Sequence, residues 1–121
     1  MPFEYQIEKE LVSVRGFGES SLHECIEALH VVMSDSDYQE HTPVIVDLSH
    51  ISYTPSFHDL KEIGAISEEL CQKFKSKIAV VVSGFLHFGL AKTLCGIIEI
   101  HGVKMNVFFR EDTAKHWVHD A

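Results

Sequence analysis

The apolar residues of this chain follow two different patterns. They alternate with polar residues over 3–8 (FEYQIE) and 11–16 (LVSVRG), which predicts two half-buried strands joined by a tight turn. They run almost without interruption over 43–48 (PVIVDL), 77–83 (KIAVVVS) and 103–109 (VKMNVFF), as in strands whose sheet is covered on both faces. We therefore expect an N-terminal hairpin and three further strands.

Between these strands, apolar residues recur at spacings of three and four, which is typical of amphipathic helices. The predicted helices have these approximate bounds: 21–34 (beginning at Ser20 or Ser21), 56–74, 87–101 and 112–119.

The predicted helix ends carry recognisable signals. Ser21 with Glu24 and Ser56 with Asp59 have the spacing of capping boxes, and Gly102 supplies the left-handed residue that ends a helix. The resulting order is ββαβαβαβα. It predicts a single α/β domain over residues 1–121, with a mixed, mostly parallel five-stranded sheet.

Composition narrows the class of protein. A chain of 121 residues fits one domain, and a hydrophobic fraction of 45% is ordinary for a globular protein. The net charge of −8 argues against nucleic acids and anionic membrane surfaces as partners. Cys25, Cys71 and Cys95 are far apart and lie inside predicted helices, so we expect reduced core thiols. With no apolar run long enough to span a bilayer and no signal-peptide pattern, we expect a cytoplasmic protein.

Several segments together resemble a known family. A short hairpin opens the chain, a DLS tripeptide closes the third strand, and an FGLAKT helix precedes the final segment VKMNVFFREDTAKHWV. This arrangement resembles bacterial SpoIIAA-like proteins, relatives of the STAS domain (the anti-sigma-factor antagonist fold) that are also compared with the lipid-binding CRAL-TRIO fold. The resemblance implies the same α/β architecture and a role in regulation or binding.

STAS regulators usually carry D-L-S at a strand end and then D-S-S-G at a helix N-terminus, with the second serine phosphorylated. Here 47–49 matches the first part, and the second falls on 55–58 (PSFH). Phe57 stands at the phosphorylated position, so the resemblance does not extend to the phospho-switch. The hydroxyl of Ser56 is interpreted as a helix cap.

Ligands of open α/β sheets bind at the carboxyl ends of the strands. Two strand-to-helix turns lie there, and their polar and aromatic side chains suit an acyl or aromatic ligand better than a nucleotide. The alternative is that these aromatic residues only cap the core. The candidate ligand-binding residues are Asp47, Ser49, Ser56, Phe57, Ser83, Gly84, Phe85 and Phe88.

Two further patterns lie on predicted helices. Small residues and one isoleucine form a stripe, which indicates either close packing within the domain or a homodimer contact; its members are Gly89, Thr93, Gly96 and Ile100. His23, Glu27 and His30 share a helix face, but a solvated flank explains them better than a metal site, so no metal is predicted. His116 and His119 are assigned to a helix C-terminus, and His101 to the edge of the core.

Three function classes remain open. The leading hypothesis is a non-enzymatic regulatory or binding module that interacts with a protein partner or a small apolar ligand. The second is a carrier of lipid-like molecules, with a pocket between Ser83–Leu90 and Asp47–Leu60. An enzyme of unknown reaction ranks last, because no convergent catalytic set is visible and no cofactor is predicted.

Overall fold

The fold is seen in a computed structural model that describes residues 3–19, 21–52, 56, 58–59, 76–100 and 102–120. Its strands are β1 (Phe3–Ile7), β2 (Val12–Gly16), β3 (Val44–Asp47), β4 (Lys77–Val81) and β5 (Lys104–Phe108). Its helices of known bounds are α1 (Leu22–Ser34), α2 (Phe85–Glu99) and α3 (Glu111–His119).

The strands form one sheet in the sequential order β1-β2-β3-β4-β5. β1 and β2 form the predicted antiparallel hairpin, while β2, β3, β4 and β5 pair in parallel with their neighbours. Parallel neighbours need a crossover connection, and α1 and α2 provide two of them. The predicted fold class, a mixed and mostly parallel five-stranded α/β sheet, is therefore confirmed.

The sheet is covered on both faces. On one face, apolar residues of α1 and α2 belong to one buried core cluster with alternate strand residues, among them Val14, Val46 and Val80. On the other face, Ala114 and Val118 of α3 pack against the intervening residues of β3 and β4. This explains why β3 and β4 are apolar at nearly every position, since each face of these central strands lies in a buried core cluster.

Two of the helix-end signals predicted from the sequence are present in the structure, one at the start of α1 and one after α2. The Ser21 hydroxyl accepts a hydrogen bond from the Glu24 N–H, and Glu24 Oε1 accepts one from the Ser21 N–H, both at 3.2 Å. This is the predicted capping box. Gly102 has a φ of 87°, as predicted for the residue that follows a helix.

The predicted start of α2 was wrong by two residues. The helix begins at Phe85 rather than at 87, because Gly84 adopts a φ of 83° and serves as the N-cap. It ends at Glu99, short of the predicted 101. The earlier start places Phe85 and Leu86 in the first helical turn, where they are exposed to solvent.

Most of the predicted helix 56–74 lies outside the described residues. At its beginning, the Ser56 hydroxyl accepts a hydrogen bond from the Asp59 N–H at 3.1 Å. Asp59 Oδ2 accepts the reciprocal bond from the Ser56 N–H at 2.8 Å. The capping interpretation of Ser56 is thus confirmed.

Within the described parts of the chain, no helix combines the length and apolar character needed to cross a bilayer.

Candidate binding site at the carboxyl ends of β3, β4 and β5

The turn after β3 is built around Asp47. Its residue exposure is only 8%, and its Oδ1 accepts hydrogen bonds from the Ser49 N–H at 2.9 Å and the Ser49 hydroxyl at 2.6 Å. Arg15 Nε of β2 lies 3.6 Å from Asp47 Oδ2. Both carboxylate oxygens therefore have partners within the protein, and the observed contacts of Asp47 shape the turn.

The turns after β3 and β4 are joined directly. The Ser83 hydroxyl donates a hydrogen bond to the Ser49 carbonyl at 3.1 Å, and the Leu48 N–H donates one to the Val81 carbonyl at 2.8 Å. Parallel strands end at the same edge of a sheet, and the two turns therefore adjoin one another. Their role in binding a ligand stays a prediction.

Aromatic residues cluster beside these turns. The rings of Phe88 and Phe109 stack with centroids 4.5 Å apart, and Phe85 meets Phe109 edge to face at 5.7 Å. The four residues Phe85, Leu86, Phe88 and Phe109 are called the aromatic ridge below. Lys92 Nζ lies 5.8 Å from the centroid of the Phe88 ring and adds a positive charge beside it.

The aromatic ridge is strongly exposed. Phe85 is 87% exposed, Leu86 64% and Phe109 45%, which is far from the usual burial of such side chains. Only Phe88 is half-buried and packs against the core. The core-capping alternative therefore fails for Phe85, since a side chain that is 87% exposed covers little of the core.

Phe109 belongs to the aromatic ridge but is not among the candidate residues predicted from the sequence. The apolar run 103–109 assigns it to a strand, but β5 ends at Phe108 and Phe109 follows it. Its position after a parallel strand was the available signal, because residues there lie at the ligand-binding edge of such sheets.

Not every candidate at this edge is described. Phe57 lies outside the described residues, as does part of the wall 47–60 of the predicted lipid pocket. The carrier hypothesis therefore stays a prediction.

The stripe of small residues on α2 faces outward. Gly89, Thr93 and Gly96 are exposed, and Ile100 just beyond the helix is 82% exposed. The Thr93 hydroxyl donates a hydrogen bond to the Gly89 carbonyl at 3.1 Å, within the same helix. This outward position is incompatible with close packing inside the domain, and a homodimer contact here stays a prediction.

The histidine candidates are dispersed. His23 and Glu27 are exposed on α1 and His30 is half-buried; in the part of the chain that is described, no three His, Cys, Asp or Glu side chains converge as a metal site would require. The ring of His119 lies 3.1 Å from two carbonyl oxygens, those of Lys115 and Glu10, and so joins α3 to the β1–β2 turn. His101 lies outside the described residues.

The thiols of Cys25 and Cys95 are buried and free. Burial raises the pKa of Cys25 to about 12 and that of Cys95 to about 11. Thiols with such pKa values are poor nucleophiles at neutral pH, and the prediction that the cysteines lie in the core is confirmed for these two. Cys71 lies outside the described residues.

The fold places the chain in a class of α/β proteins with a SpoIIAA-like fold. The supporting comparison is with a solved structure from Shewanella loihica PV-4, an uncharacterised protein of the DUF3478 family described as having a SpoIIAA-like fold. The two share 11% sequence identity with a TM-score of 0.65, and the match covers 96% of this chain and 93% of the other. No protein-family model matches the chain, and no curated protein does either. At this identity the likeness shows the fold, as predicted from the sequence.

Proposed function

We propose that this protein is a non-enzymatic binding module that docks a protein partner on the aromatic ridge, in a regulatory role. The observation that carries the proposal is the exposure of Phe85 and Leu86, 87% and 64%, at the edge where α/β sheets bind their ligands. Large apolar side chains held this far into water are typical of interaction surfaces. The SpoIIAA-like fold, which hosts regulatory binding modules, supports the same conclusion.

The shape of the ridge favours a protein over a small molecule. Small apolar ligands need a concave site that encloses most of their surface. Phe85 instead projects from the first turn of α2, so it can enter a pocket of a partner, as the aromatic anchors of protein interfaces do. Insertion into an anionic membrane is disfavoured by the net charge of −8.

A photo-crosslinking experiment tests the proposal. A benzophenone amino acid replaces Phe85 in one variant and Ile100 in a matched control, which is also exposed, at 82%, but lies beyond the far end of α2. Irradiation in cells of the source organism should crosslink a protein other than this chain at position 85 and not at position 100. A crosslink to a second copy of this chain at position 100 would instead report the homodimer contact predicted for α2. The partner crosslinked at position 85 is then purified, and its affinity for the Phe85→Ser/Leu86→Ser variant is measured.

Burial of a phenylalanine or leucine side chain contributes about 1.5–3 kcal/mol, so the double substitution should weaken binding by at least about tenfold. Ile100→Ser should leave the affinity unchanged. Equal binding by the double variant and the wild type would refute the proposal. A lipid that copurifies in native mass spectrometry would instead support the carrier hypothesis.

A further inference from the structure

The two edges of the sheet differ in the hydrogen-bond partners of their outward backbone groups. At the β5 edge, Asn106 Oδ1 accepts a hydrogen bond from the Val107 N–H at 2.9 Å and another from Lys92 Nζ at 2.8 Å. The Asn106 side chain thus occupies an outward backbone donor that an added strand would need. At the opposite edge, β1 pairs with β2 alone among the described residues.

The register of the hairpin shows which groups of β1 point outward. The Glu8 N–H donates to the Leu11 carbonyl at 2.9 Å, and bonded pairs alternate along an antiparallel ladder. Phe3, Tyr5 and Ile7 therefore direct their N–H and C=O groups away from β2. The Val12 N–H, which donates to the Pro43 carbonyl rather than to Ile7, agrees with this alternation.

The sequence of β1 is self-complementary. Its five residues, FEYQI, read apolar, polar, aromatic, polar, apolar in either direction. We propose that β1 pairs with β1 of a second copy of this chain across a two-fold axis at Tyr5, which joins two sheets into one. This goes beyond the proposed function, because it uses the edge opposite to the aromatic ridge.

The two-fold pairing matches both hydrogen bonding and charge. The outward groups of Phe3, Tyr5 and Ile7 meet those of the partner copy in antiparallel register, forming about six backbone hydrogen bonds. Glu4 then lies opposite Gln6 of the partner copy rather than opposite another carboxylate. An unrelated strand would lack this correspondence, which is why a second copy is the occupant favoured here.

The surface beside β1 supplies apolar area. Tyr5 is 37% exposed and Val31 of α1 is 45% exposed, and both border an open groove of about 450 Å³ between α1 and β1. The Tyr5 hydroxyl donates a hydrogen bond to Asp35 Oδ2 at 2.9 Å, which connects the Tyr5 side chain to the C-terminal end of α1. Pairing at β1 would remove part of this surface from water.

Sedimentation velocity of the purified chain from about 1 μM to about 500 μM tests the proposal. The wild type should pass from monomer to dimer in this range. Gln6→Glu places two carboxylates opposite each other at two symmetric positions and should weaken the dimer about 2-fold to 30-fold. The matched change Gln6→Lys, at the same exposed position, should strengthen it by a similar factor.

A third variant addresses the backbone directly. Tyr5→Pro removes an outward N–H but no bond of the β1–β2 ladder, so it should be folded by circular dichroism and monomeric. A wild type that stays monomeric at the highest concentration overturns the proposal. A dimer whose dissociation constant is the same in both Gln6 variants also overturns the proposal. The comparison of the two Gln6 variants tests the proposal even if the proline variant fails to fold.

Discussion

Lys77 offers the sharpest test of how α3 is held on the sheet. Its Nζ donates hydrogen bonds to the Trp117 carbonyl at 3.0 Å and the Asp120 carbonyl at 2.6 Å, and it lies 5.0 Å from the Trp117 ring centroid. A cation at this position gives the carbonyls at the helix C-terminus a charged donor, in addition to the Asp120 N–H that donates to the Trp117 carbonyl at 3.3 Å, and it opposes the negative end of the helix dipole. The substitution Lys77→Met keeps the aliphatic chain and removes only the charged donor.

The expected cost follows from these contacts. Hydrogen bonds that involve a charged group contribute about 1.5–3 kcal/mol when buried, and the partial exposure of Lys77 reduces this. Together with about 0.5 kcal/mol from the ring contact, Lys77→Met should lower the free energy of unfolding by about 2 kcal/mol. With about 2.1 cal/mol/K of unfolding entropy per residue, this corresponds to a fall in Tm of roughly 8 °C.

Urea denaturation followed by tryptophan fluorescence measures this change, because Trp117 is the single tryptophan and lies in α3. Lys115→Met is the matched control: its ion pair with Glu111 is long, at 3.7 Å, and exposed, so the loss should stay below about 0.5 kcal/mol. If Lys77→Met is as stable as this control, the capping of α3 by Lys77 is refuted.

Two further predictions concern cysteines and glycines. In a Cys71→Ser background, Cys25 and Cys95 of the folded protein should resist a disulfide reagent at pH 8, because burial raises both pKa values well above 8. Both thiols should react once the protein is unfolded in denaturant. The reaction is followed by absorbance, and rapid reaction of the folded protein would contradict this prediction. Gly96→Ala, at an exposed position of α2, should stabilise the protein against thermal denaturation by about 0.5–1 kcal/mol. Gly102→Ala, at a φ of 87°, should destabilise it by about 1 kcal/mol. Shifts of the same sign for both glycines would contradict the assigned backbone conformations.

Much of the fold could be predicted because its signals are local. The alternation over 3–8 and 11–16 indicates strands with one solvent-exposed face. The apolar runs over 43–48 and 77–83 indicate strands that are covered on both faces. The same runs hide which helix covers which face. β3 is apolar toward both sides, so the position of α3 opposite α1 appears only in the structure.

The candidate site was predictable only in part. The meeting of Asp47, Ser49 and Ser83 follows from parallel strands ending at one edge. The exposure of Phe85 does not follow, because an apolar residue is by default assigned to the interior. It results from the two-residue earlier start of α2 at Gly84, which depends on a backbone conformation that the sequence permits without requiring it.

The sequential strand order keeps the two proposed surfaces apart. β1 and β5 are at opposite edges, and four strand spacings of about 4.8 Å separate them by roughly 19 Å. The aromatic ridge lies at the carboxyl end of β5, so pairing at β1 would leave the ridge of each copy uncovered. A dimer formed in this way would present two ridges at the distant edges of one continuous sheet, and a partner with two docking segments would bind it more tightly than a monomer without any new contact.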